Sequence, residues 1–139
     1  MNIKFIIEYK GTNYSGWQIQ KKQNTVQGEL KKAFQILFPN QNINIIGSGR
    51  TDSGVHATGQ VASVILLEDI ELDKIFKSIN GIIPNDIHIK KYEKVDSNFN
   101  ARHSAKYRIY KYYIRDQFSP FYHGTAWYIN NIIDYSLLE

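Results

Sequence analysis

Apolar residues dominate positions 2–9 (NIKFIIEY), which predicts a buried strand ended by the turn signal Lys10-Gly11-Thr12-Asn13. Over residues 25–38 the spacing changes. Val26, Leu30, Ala33, Phe34 and Leu37 fall on one face of a helix that Asn24 or Thr25 can cap and Pro39-Asn40 ends. Strands are predicted over 42–47 and 59–67. A second helix follows over roughly 70–80, aligning Leu72, Ile75, Phe76 and Ile79, with Gly81 as its stop. Residues 86–94 (DIHIKKYEK) alternate as a fourth strand.

The order βαββαβ predicts a ferredoxin-like α+β fold, an antiparallel sheet with both helices on one face. A fifth strand is predicted over 106–115. Its alternation places Arg108, Tyr110, Tyr112 and Ile114 opposite Tyr107, Ile109, Lys111 and Tyr113. The reading divides the chain into a domain over 1–104 and the first strand and start of an incomplete second domain over 105–139. Residues 134–139 (DYSLLE) read as a helix start without a body, so the chain looks cut off.

Composition adjusts this picture at few points. The chain has 139 residues, 42% of them hydrophobic and 22% charged, enough apolar material for a core and too much for disorder. It has no cysteine, which removes disulfides and thiolate chemistry. The run Ile3–Ile7 is broken by Lys4 and followed by Glu8, too short and polar for a signal peptide or a membrane span. A cytoplasmic protein that does not enter membranes is expected. The net charge of +4 matters through its placement. Arg102, Lys106, Arg108, Lys111 and Arg115 share one window with Tyr107, Tyr110, Tyr112 and Tyr113, and no acidic residue interrupts them. Cations for phosphates and aromatic faces for unpaired bases suit RNA. A solvated amphipathic strand would have the same composition.

Chemistry concentrates in GSGRTDSGVHATGQ, residues 47–60. The spacing fits no phosphate-cradling loop, and no helix follows to present its N-terminus to an anion. A metal would need a third ligand beside Asp52 and His56; no spacing holds His88 or His103 in that role, and neither metal nor cofactor is expected. What remains is a carboxylate, Asp52, as nucleophile or base. Arg50, two residues away, would lie on the same side of an extended backbone and hold Asp52 charged in one rotamer. Gly49 and Gly54 would give a bulky substrate room. An Arg–Asp pair closing an irregular loop fits the residue types equally well.

The segment GRTDSGVHATGQV resembles the active-site motif of the tRNA pseudouridine synthase A family, Gly-Arg-Thr-Asp-Ala-Gly-Val-His-Ala, with Ser53 in place of alanine. YKGTNYSGWQIQ (9–20) resembles that family's opening motif, TVQGELKKA (25–33) its first helix, and FNARHSAKYRIYKYYI (99–114) a later basic and tyrosine-rich segment; SPF at 119–121 is similar too. The resemblance implies a cofactor-free isomerase that converts uridine to pseudouridine in the tRNA anticodon stem-loop, at tRNA positions 38 to 40. It implies Asp52 as the catalytic aspartate, Tyr110 as the tyrosine packing on the target uracil and Arg50 as the neighbouring basic group. It leaves open whether Asp52 attacks C1′, attacks C6 or takes a proton. Full members of the family resemble two ferredoxin-like halves and pair as homodimers, so this chain is expected to be inactive alone. Two rivals stand beside the enzyme: a non-catalytic RNA-binding module on the same fold, and a hydrolase using Asp52 and Arg50. Trp17 and Gln18 are read as pocket or RNA-surface residues, with core packing the alternative for Trp17. His56 is read as fixing the loop.

Overall fold

A computed structural model of the chain describes residues 1–130 and Ser136. The described residues form two units, Met1–Lys106 and a second beginning at Tyr107. In the first, β1 (Asn2–Tyr9), α1 (Val26–Leu37), β2 (Ile45–Gly47), β3 (Ala57–Ile65), α2 (Leu72–Ile82) and β4 (Ile87–Val95) follow one another as βαββαβ. The strands lie in the order β2-β3-β1-β4, and every neighbouring pair is antiparallel. This is the ferredoxin-like α+β arrangement anticipated from the element order.

Alternation along β1 sends Ile3, Phe5, Ile7 and Tyr9 into the core. Phe5 meets Phe34 of α1 at 5.8 Å and Phe76 of α2 at 5.6 Å between ring centroids, which pins both helices to one face. Thr25 caps α1 by accepting from the Gly28 N–H at 3.2 Å. On the opposite face, the segment after β4 turns back over the sheet. Asn2 Nδ2 donates to the carbonyls of Asp96 (2.9 Å) and Phe99 (2.8 Å), and the Ala101 N–H donates to Ser63 Oγ at 3.2 Å. Ala101 is thereby buried, and the first residues of the FNARHSA stretch serve packing.

Three expectations need correction. β2 covers 45–47, not 42–47, because the Gln41 side chain takes the edge of β3 that residues 42–44 would have paired. Gln41 Nε2 donates to the Ile65 carbonyl (2.6 Å), and its Oε1 accepts from the Leu67 N–H (3.0 Å). Gly81 lies inside α2 and does not stop it; Ile83 does, held extended (ψ 152°) by the following Pro84. The strand expected over 106–115 reduces to β5 (Ile114–Arg115), paired in parallel with β6 (Trp127–Tyr128). Residues 107–113 have no ladder partner among the described residues, and alternation of side chains without a neighbouring strand does not make one. The helix start expected at 134–139 lies outside the described residues apart from Ser136.

Candidate active site

The β2–β3 connection, residues 48–56, is held almost entirely through its backbone and uncharged side chains. At its start, the Ser48 N–H donates to the Val61 carbonyl (2.7 Å), and Gln60 Nε2 donates to the Gly49 carbonyl (2.6 Å). At its middle, Thr51 is fixed twice: its carbonyl accepts from the Trp17 N–H at 3.0 Å, and its Oγ1 lies 2.8 Å from the Tyr9 hydroxyl. Beyond it, the Tyr14 carbonyl accepts from Ser53 Oγ (3.3 Å) and from the Gly54 N–H (3.2 Å), while the Val55 N–H closes a turn onto the Asp52 carbonyl (3.2 Å). At the end, His56 Nδ1 accepts from the Gly11 N–H at 2.9 Å, so that nitrogen is engaged and the ring fastens the loop to the turn after β1.

This fastening depends on close approach. A Cβ on Gly11 would lie 2.0 Å from the Val55 carbonyl oxygen, and one on Gly16 would lie 2.4 Å from that of Thr51. Gly16 also has φ +87°, a left-handed conformation that glycine alone adopts freely. Gly54 has φ +79° with open space around it, so it serves the turn's conformation. Trp17 packs in the core, 1% exposed, its indole against Gly47 and 6.1 Å from the Tyr9 ring. That settles Trp17 as a packing residue.

Asp52 and Arg50 are both exposed on this pinned backbone. Among the described residues they do not form an ion pair; the carboxylates that do are Glu93, Glu29, Glu8 and Asp69, all with lysines. The expected mutual restraint of Arg50 and Asp52 is therefore replaced by restraint of the residues on either side of each. A carboxylate displayed this way can approach a substrate carbon or proton without first breaking an internal bond. Tyr110 belongs to the second unit and is 59% exposed. Tyr107 and Tyr112 are exposed as well. Among the described residues no three His, Asp or Glu side chains are grouped to hold a metal ion, and no helix is long and apolar enough to cross a membrane.

The model of the tRNA pseudouridine synthase family matches residues 5–104, which contain this whole loop and every anchor named above. The chain belongs to that family. Members similar to it along nearly its full length include the tRNA pseudouridine synthase A of Dictyoglomus thermophilum, 44% identical over all of this chain and 58% of the relative. The tRNA pseudouridine synthase A 1 of Protochlamydia amoebophila is 40% identical over 98% of this chain and 54% of its own length. That of Brachyspira hyodysenteriae is 43% identical over 99% and 57%. The chain thus spans a little over half the length of the synthases it matches. Within this family member, sequence reasoning missed the anchors Tyr9, Tyr14 and Gln60. The signal that could have found them is the pair Gly11 and Gly16, whose lack of side chains marks where another backbone comes close.

Proposed function

We propose that the protein isomerises uridine to pseudouridine in tRNA, acting on the anticodon stem-loop at tRNA positions 38 to 40. The observation that carries this is the exposed Asp52 carboxylate, flanked on both sides by anchored backbone, in a chain of the pseudouridine synthase family. In this reading Asp52 is the nucleophile. Its carboxylate bonds transiently to C1′ or C6 and is released again as the product forms; the N1–C1′ bond breaks, the uracil turns, C5 bonds to C1′, and the proton lost from C5 is balanced by one gained at N1. Arg50 binds beside the aspartate, and Tyr110 stacks on the extruded uracil, returning about 1–3 kcal/mol of the few kcal/mol spent on flipping it. Residues 1–104 act as the domain carrying the catalytic loop, with 105–139 opening a second, and the protein works as a cytoplasmic homodimer. The names of the relatives support pseudouridine formation in tRNA, and the motif at residues 49–61 supports Asp52 as the reacting carboxylate.

One observation favours a second reading. The exposed tyrosines 107, 110 and 112, beside Lys106, Arg108 and Lys111, would serve an RNA-binding module without chemistry. Incubating the protein at its natural length with an unmodified tRNA transcript and mapping pseudouridine separates the readings. The isomerase yields pseudouridine at 38–40 with tRNA mass unchanged. Released uracil would point to the hydrolase, and binding without modification to the module.

A further inference from the structure

We propose that Tyr9 is a positioning residue for the reaction, acting through Thr51 on the orientation of Asp52; the inference rests on the reading of Asp52 as nucleophile. Tyr9 is the last residue of β1 and is 4% exposed, with its ring held near Trp17 in the core. Its hydroxyl reaches out of that core to Thr51 Oγ1 at 2.8 Å. Thr51 lies between Arg50 and Asp52, and its carbonyl is held by the Trp17 N–H at 3.0 Å. One residue is thus gripped by side chain and main chain from the same wall of the core. With the Thr51 rotamer and carbonyl both fixed, the backbone leading into Asp52 loses its freedom, and the Cα–Cβ direction of the carboxylate is set before substrate arrives.

The same contact is not needed for folding. The Tyr9 ring would still pack if the hydroxyl were removed, and Thr51 is only half-buried, so water can replace the lost partner. A residue that only supported the fold would shift the melting temperature. A positioning residue shifts the chemical step.

The test uses the natural-length protein and an unmodified tRNA transcript with uridine at positions 38 to 40. Tyr9→Phe is expected to lower the single-turnover rate of pseudouridine formation about 3- to 10-fold, the size of one lost hydrogen bond. KM, tRNA affinity and melting temperature should stay close to those of the parent. Thr51→Val should reproduce the loss, Thr51→Ser should restore the rate, and the Tyr9→Phe/Thr51→Val double variant should be no slower than either single one. A Tyr9→Phe variant at full rate, or additive losses in the double variant, would overturn the proposal. Asp52→Asn is run alongside. If it retains activity, the reading of the site itself fails; if it is dead while Tyr9→Phe is unimpaired, only the role of Tyr9 fails.

Discussion

Asp52 and Arg50 owe their placement to neighbours that carry no charge, namely a tyrosine hydroxyl, main-chain amides, a glutamine amide and glycines that let backbones touch. Gly47 shows how little slack remains. A Cβ there would sit 2.6 Å from the indole of Trp17, which is buried and cannot retreat. Gly47→Ala should cost about 1–3 kcal/mol of stability, read as a lowered denaturation midpoint. Tyr14 gives a pH signature. Burial, then the hydrogen bond it donates to the Asp86 carboxylate, push its phenol well above the usual tyrosine range. Between the ordinary value near ~10 and the raised one, the native protein keeps a proton that the unfolded chain has lost. Its stabilising contribution is therefore whole below about pH 10 and falls by up to about 1.4 kcal/mol per pH unit above it. Denaturant midpoints of Tyr14→Phe and the parent protein between pH 8 and 11 should converge as pH rises; parallel curves would contradict this. Asp52 drew notice in the sequence because Arg-Thr-Asp flanked by glycines stands between two apolar runs, and its proposed role came from the resemblance of the motif, since the residue types alone fit a loop-closing Arg–Asp pair equally well. Tyr9 and Tyr14 were not, because a tyrosine ending a strand reads as core until its hydroxyl is seen at Thr51, and Tyr14 meets the loop only through its main-chain carbonyl.

At the scale of elements, legibility followed periodicity. β1, α1 and β4 carry clean 2.0 or 3.6 patterns and lie within a residue or so of their expected bounds. β2 escaped because a side-chain amide, Gln41, stands in for main chain. Residues 107–113 escaped because strand formation needs a partner that alternation alone does not supply. Gly81 was read as a stop signal, yet it occupies the last turn of α2 without a positive φ and with open space where a Cβ would stand. Gly81→Ala should accordingly stabilise the protein by about 0.5–1 kcal/mol, through helix propensity and a less flexible unfolded chain. A lower melting temperature in that variant would mean that glycine is required there. α2 is held to the sheet independently of this, by Tyr92 of β4 stacked on Phe76 at 4.3 Å and bonded to Asp73 at 2.8 Å.

At the scale of the molecule, the helices and the Phe5, Phe34 and Phe76 rings build a rigid wall, and the loop bearing Asp52 is stitched to its rim from β1, the turn after it and β3. The fold thus anchors the backbone on both sides of Asp52 while leaving the residue exposed, as the proposed chemistry on a base extruded from RNA would require. The most direct test of that account is Asp52→Asn in the protein at its natural length. The substitution keeps size and shape and removes the charge. Pseudouridine formation at tRNA positions 38 to 40 should fall below detection, with tRNA affinity and melting temperature close to those of the parent. Pseudouridine formed at the parental rate would contradict the assignment of Asp52 as nucleophile.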